Sequence, residues 1–267
     1  MNVLLHKRIA IIGIGNIGHI LLDRLNASGV PRDNLAVYDT DSERSSLASE
    51  LYKIHTVDIE SPDLYSADLL LLATSPKAVP QILKKIAEKL KPGQTLVSFA
   101  AGISLARLES LVPRNVSVAR VMPNAPSLVG QGMNPVAYSV SASIHSRQLI
   151  SALLSILGET LEVQDEQMNW CVGLSGAALR SILPVLEGMT RAGIEARLNP
   201  VDARKVAAQV ILGTATLVLQ TSLTFEEIKS LTPMETLDEI TIAQVFMEAA
   251  HNTKKRIDEL QRKLEIV

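Results

Sequence analysis

The chain of 267 residues is poor in several of the side chains on which whole classes of function depend. Its one cysteine, Cys171, excludes an intramolecular disulfide and a multi-cysteine metal site. The histidines His6, His19, His55, His145 and His251 are scattered without ligand spacing, so no metal centre is expected. Aromatic residues make up 3 %, with Trp170 the single tryptophan, too few to stack bases or sugars. Neither sign of charge dominates. The 26 Lys+Arg and 28 Asp+Glu give a net charge of -2, which leaves no basic excess for a nucleic acid. No secretory signal is evident, because Ile9-Ala10-Ile11-Ile12 runs straight into a glycine-rich turn. No stretch reaches the roughly 18 apolar residues of a membrane span, residues 207–219 coming nearest. The expected class is a soluble, cytoplasmic enzyme or small-molecule binder, with no membrane partner.

What is present is a large apolar fraction, 47 %, arranged in two different ways. Over the first half, short apolar runs at 8–12, 35–38, 68–73, 95–99, 116–121 and 136–140 read as strands. Amphipathic patterns at 16–28, 42–51, 79–90 and 105–111 read as the helices between them. Continuous apolar strands separated by helices predict a parallel sheet covered on both faces. After a helix over 146–157 and an edge strand over 160–163, the text is helical to its end, with breaks near Asn199-Pro200 and Thr232-Pro233. The expected fold is α/β: a doubly wound, Rossmann-type domain over 1–160, then an all-helical dimerisation and substrate domain over 161–267. Residues 203–219 are apolar on more than one face, and such a helix needs burial on all sides. A second copy of the chain supplies that most simply, so a homodimer is expected.

Gly13-Ile14-Gly15-Asn16-Ile17-Gly18 follows the first strand and opens the first helix. Gly13 suits a tight turn, Gly15 lets the backbone approach a pyrophosphate, and Gly18 permits close helix–strand contact. The helix N-terminus then offers N–H groups to phosphates. Asp39 ends the next strand about twenty positions on, where a carboxylate accepts from the adenosine ribose hydroxyls. The motif predicts a nicotinamide dinucleotide, with NAD favoured over NADP because Asp39 repels a 2′-phosphate. Arg44, one helical turn beyond, opposes that preference, and Asp39 competes with Asp41 for the role of N-cap to the second helix.

Three further segments resemble the pyrroline-5-carboxylate reductase family, which makes proline. Ser98-Phe99-Ala100-Ala101-Gly102-Ile103-Ser104 is similar to S-x-A-A-G-[IV]-[ST]. Arg120-Val121-Met122-Pro123-Asn124-Ala125-Pro126, with Gly130 and Gly132, is similar to R-x-M-P-N-T-P-x-x-x-G-x-G. In the helical half, Gly173-Leu174-Ser175-Gly176, Ala192-Gly193, Ala203 and Gln209-Val210-Ile211-Leu212-Gly213 follow the spacing of the family's dimerisation domain. The resemblance spans nearly the whole chain. It implies an NAD(P)H-dependent oxidoreductase that reduces the C=N bond of a cyclic imino acid, and a helical domain interlocked in a dimer. It also implies cofactor contacts at Ile12, Gly13, Ile14, Gly15, Asn16, Ile17, Asp39, Ala73, Thr74, Ser75, Pro76, Phe99, Ala100 and Ala101. Asn124 corresponds to the family asparagine near the nicotinamide; an Asx-turn is its alternative reading.

The departures fall where the family touches substrate. Ser175-Gly176-Ala177-Ala178-Leu179-Arg180-Ser181 stands for S-G-S-G-P-A-Y, and Thr232-Pro233-Met234-Glu235-Thr236-Leu237 for the S-P-G-G-x-T that holds the substrate carboxylate. Two missing glycines remove an anion nest, and Glu235 would repel a carboxylate. Arg180 is a candidate replacement carboxylate ligand or a structural salt bridge. The threonine that reaches the imine nitrogen is Thr236 or Thr241. The catalytic candidates are therefore Asn124, Arg180 and Thr241. The rival reading is a relative that kept the nucleotide fold and lost the reaction, acting as a nucleotide-binding regulatory or interaction protein.

Overall fold

The computed structural model describes residues 3–232 and 234–265. They form two compact units, one of Met1–Gly176 with Asn252–Val267 and one of Ala177–His251. The division foreseen at residue 160 falls inside the last strand, Gly158–Glu162, and the compact units part further along the chain, at Gly176.

The first unit is built on one seven-stranded sheet in the order β2-β1-β3-β4-β5-β6-β7. Its strands are β1 (Ile9–Ile12), β2 (Leu35–Tyr38), β3 (Leu69–Leu72), β4 (Thr95–Ser98), β5 (Ser117–Val121), β6 (Gly132–Tyr138) and β7 (Gly158–Glu162). Strands β1 to β5 are parallel to their neighbours, β6 runs antiparallel to β5, and β7 is parallel to β6. The helices are α1 (Asn16–Ala27), α2 (Ser42–Tyr52), α3 (Pro62–Tyr65), α4 (Val79–Ile86), α5 (Leu105–Ser110), α6 (Ile144–Ser155) and α7 (Met168–Cys171).

The period of two sends alternate residues of the inner strands into two cores. Ile9, Ile11, Leu69, Leu71 and Val97 enter one core with residues of α1 and α6. Ala10, Ile12, Leu70, Leu72 and Leu96 enter a second core with residues of α4 and α5. Every residue of β1 and β3 is buried, as a sheet covered on both faces requires. Each such leucine or isoleucine stabilises the fold by about 1.5–3 kcal/mol. β7, at the sheet's edge, carries Glu159 and Glu162 and is mostly exposed, the kind of charged edge that resists pairing with another chain.

One charged side chain is fully inside. Arg120 on β5 donates through Nη1 to Asp165 at 2.5 Å, and its Nη2 lies 3.4 Å from Asn169 Oδ1. Asp165 also accepts from the Leu105 N–H at the start of α5. Asn169 donates to Asp258 and Gln261 on the last helix, α11 (Glu239–Glu265), at 3.0 and 2.7 Å. The end of the chain is thus tied back to the sheet. Lys254 belongs to this packing, bonded to Asp258 and lying over Trp170.

The second unit contains α8 (Ala178–Glu195), α9 (Pro200–Gln220), α10 (Phe225–Ser230) and the first part of α11. The break at Asn199-Pro200 is an N-cap: Asn199 accepts from the Asp202 N–H and Pro200 occupies the first turn of α9. Beyond the second break the expected helical text forms one continuous helix, α11. The second break was placed at Thr232-Pro233; Thr232 follows α10, and Pro233 lies outside the described residues.

Ser175 lies in a π-helical turn, Val172–Gly176, and its hydroxyl donates to the Cys171 carbonyl, so it is not a helix N-cap. One sequence expectation needs correction: a helical run, Asp165–Glu195, is by length and composition apolar enough to cross a membrane, where no such stretch was expected. Glycine, serine and alanine interrupt its larger apolar residues, so no unbroken apolar stretch marks it in the sequence.

Candidate functional site

The chain steps from β1 to β2 on one side and then to β3 on the other, so β1 and β3 meet at a topological switch point, where open α/β sheets bind ligands. A cleft of about 310 Å³ lies there, walled by the ends of β1, β2 and β3 and by one face of α4. Of the expected contacts, Ile12, Gly13, Gly15, Asp39, Ala73, Thr74 and Ser75 line it. Asn16, Ile17, Pro76 and Ala101 do not, and Ile14, Phe99 and Ala100 are buried among core residues.

The three glycines of the turn separate into two kinds. Gly13 has φ +101°, and a Cβ there would sit 2.7 Å from the Ala73 carbonyl oxygen. A side chain at Gly18 would drive into the Gly13 carbonyl. The fold itself therefore demands both. Gly15 is different: its φ is -77°, open to any residue, and a Cβ would meet nothing within 4 Å. Nothing in the chain requires a glycine at this position, which faces the cleft. A ligand passing close to the backbone does require it. Gly15 also begins α1 without any side-chain cap, leaving helix N–H groups for an anion. Thr74 adds a buried Oγ1 with no hydrogen-bond partner in the cleft wall. An open cradle, uncapped N–H groups and an orphaned hydroxyl together fit a dinucleotide's pyrophosphate.

Asp39 is held rigidly. Its Oδ2 accepts from the Ile14 N–H at 2.6 Å and its Oδ1 from the Asp41 N–H at 2.9 Å. The Ile14 amide is thereby committed within the chain. The N-cap of α2 is Asp41, which accepts from the Glu43 and Arg44 N–H groups, so Asp39 is free of that role. Sequence reasoning missed Tyr38, Thr40, Ile59, Ala78, Gln81, Ile82 and Lys85, which also line the cleft. Four of these lie at Ala78, Gln81, Ile82 and Lys85, the helical i, i+3, i+4, i+7 face leading into and along α4, a signal present in the sequence.

The catalytic candidates sit in different surroundings. Asn124 follows β5, accepts from the Met133 N–H at 3.1 Å and reaches the Ser175 carbonyl at 3.4 Å. It makes no Asx-turn; it links the start of β6 to the π-helical turn. Arg180 and Thr241 belong to the second unit. Arg180 is exposed on the first turn of α8, and among the described residues its guanidinium forms no ion pair. Thr241 is exposed, and its hydroxyl donates to Asp238 at 2.7 Å in the first turn of α11. Thr236, the other candidate threonine, is exposed between α10 and α11. Cys171 is buried, which pushes its thiol above the usual range although the Arg120 charge opposes the rise; it is a packing residue. No cluster of metal-ligating side chains occurs among the described residues.

Residues 8–102 match the family described as NADP oxidoreductase coenzyme F420-dependent, and residues 165–260 match the pyrroline-5-carboxylate reductase dimerisation family. The pyrroline-5-carboxylate reductase of Corynebacterium melassecola is 30 % identical over 264 residues, covering 94 % of this chain and 98 % of that one. The chain belongs to the pyrroline-5-carboxylate reductase family.

A second member, the pyrroline-5-carboxylate reductase of Haemophilus influenzae, is 32 % identical over 216 residues, 80 % of this chain and 79 % of that one. Among solved structures, the Plasmodium falciparum pyrroline carboxylate reductase with NADP bound superposes with a TM-score of 0.85 at 17 % identity, covering 97 % and 99 % of the two chains. The Coxiella burnetii pyrroline-5-carboxylate reductase gives 0.82 at 20 % identity, with 95 % and 98 % covered. These two establish the family fold along the whole chain.

Proposed function

We infer that this protein is an NAD(P)H-dependent reductase of a cyclic C=N bond, with pyrroline-5-carboxylate as substrate and proline as product. The observation that carries the reading is Gly15, a glycine with open space and ordinary backbone that only a bound dinucleotide explains. Family membership supplies the reaction class.

Reduced nicotinamide supplies the hydride that the imine carbon accepts. The chain's own part is to bind and orient, since a protonated imine needs little acid–base help. The turn at Gly13–Gly18 receives the pyrophosphate. Asp39, held by two N–H donors, accepts from ribose hydroxyls and favours NADH over NADPH. Asn124, braced on both sides, offers an amide to the nicotinamide end. Arg180, without an ion pair among the described residues, is the ligand proposed for the substrate carboxylate, and the Thr241 hydroxyl, while donating to Asp238, keeps lone pairs to accept from the N–H of the protonated imine.

The working form is a homodimer. Apolar side chains left exposed along α8, α9 and α11, and the match of 165–260 to a dimerisation family, support it. The same match favours a partner chain over a bilayer as the cover for Asp165–Glu195, and a cytoplasmic location follows. Mixing the protein with NADH and pyrroline-5-carboxylate tests the reading: NADH is consumed and proline forms. Tight NADH binding without turnover would instead favour the regulatory alternative.

A further inference from the structure

Three charged side chains line the cleft on the side of β2, α2 and α4, and a fourth stands just outside it. Asp39, Arg44 and Lys85 line it. Asp41 does not, yet it is the residue that controls Arg44. Its Oδ1 caps α2 by accepting from the Glu43 and Arg44 N–H groups at 3.0 and 3.3 Å. Its Oδ2 pairs with the Arg44 Nε at 3.3 Å. One carboxylate therefore ties down both the backbone and the side chain of the cation nearest Asp39 on α2. Lys85, exposed on α4, makes no ion pair among the described residues.

We propose that Asp41 is a positioning residue for cofactor choice, excluding NADPH by holding Arg44 back along α2 while Asp39 confronts the 2′-phosphate. This deepens the nucleotide reading of the cleft and rests on it. The chemistry is simple. A 2′-phosphate brings about two negative charges to a site where Asp39 cannot swing aside, because both its oxygens are held. Admitting it requires a cation to turn toward it. Arg44 is the residue with the reach and the planar donors, but its Nε is held by the ion pair to Asp41. Asp41 also adds its own negative charge within a Debye length of the ribose. NADH meets neither obstacle, since the ribose hydroxyls need only Asp39.

The variant that separates this from a structural role is Asp41→Asn. Asparagine caps a helix as well as aspartate does, so α2 keeps its start and the backbone N–H to Asp39 is untouched. Only the charge and the ion pair go. The readout is the dissociation constant of each nucleotide, measured by calorimetry on the full-length protein, with the melting temperature beside it. The NADPH constant should fall about threefold to tenfold, a size set by an exposed ion pair plus one like charge, while the NADH constant holds. In the double variant Asp41→Asn/Arg44→Ala the share of the gain carried by Arg44 should vanish, leaving only the smaller share from Asp41's own charge. A ratio of NADPH to NADH affinity that moves by less than about threefold in Asp41→Asn overturns the proposal, as does a gain undiminished by loss of Arg44. Wild-type protein that binds neither nucleotide overturns the reading of the cleft itself, and is recognised because it fails before any variant is made.

Discussion

The two compact units solve the problem of apolar surface in opposite ways. In the first, strand side chains alternate into two cores and whole strands such as β1 and β3 are sealed from solvent. In the second, α8 has no buried residue at all, and α9 buries only Ala203 and Ala207, while Val206, Val210, Leu212 and Leu219 stand exposed. Helices that apolar do not remain bare in water. The nucleotide unit buries its apolar surface within one chain, whereas the helical unit leaves apolar surface for the partner copy proposed above. The residues lining the cleft all come from the first unit.

The comparison is broken most severely by putting a charge on α9. Val210, 48 % exposed in the single chain, becomes interface in the dimer, so Val210→Glu buries an unpaired carboxylate. A loss of several kcal/mol, on the order of a thousandfold in dimer affinity, is expected. Light scattering at micromolar concentration should report a monomer; an unchanged dimer would place the interface elsewhere.

Next in size is the buried arginine of the first unit. Arg120→Met leaves Asp165 without its partner beneath α5 and should cost about 3–5 kcal/mol in denaturant unfolding. The melting transition should drop with the oligomeric state intact, the reverse of the α9 variant.

Gly15→Val sharpens the comparison by separating folding from binding. Its Cβ meets nothing in the chain, so the melting temperature should hold, while nucleotide affinity falls by about a hundredfold or more through collision with the pyrophosphate. Gly18→Ala should do the opposite and unfold the turn, because the Gly13 carbonyl stands where the methyl would go. Equal melting temperatures for the two variants would refute the distinction.

The smallest effect concerns Thr74. Thr74→Val removes a buried hydroxyl that has no partner, and should raise the stability of nucleotide-free protein by about 1 kcal/mol. A loss of stability would mean that the hydroxyl is satisfied after all.

Much of this was legible in the sequence for identifiable reasons. The β1 and β3 strands are written as unbroken apolar runs because a strand covered on both faces leaves no polar position, and the glycine turn is tied to its strand and helix by neighbours in sequence. The resemblance pointed to the wall at Ala73–Ser75. What escaped depends on contacts between distant segments. The commitment of Asp39 to Ile14 and the tethering of Asn169 to Asp258 are chosen by packing, not by local pattern. Arg120 reads as a motif letter in sequence, and only the structure shows it as a buried tie between β5 and the start of α5. The helical face at Ala78, Gln81, Ile82 and Lys85 was visible as a period, but its meaning needed the switch point beside it.

The claim that the nucleotide unit stands by itself is tested most directly by titrating NADH into the monomeric Val210→Glu variant. The account predicts a dissociation constant within about threefold of the wild-type dimer, since no residue lining the cleft comes from the helical unit. Loss of NADH binding on becoming monomeric, with the sheet still folded by circular dichroism, would contradict it.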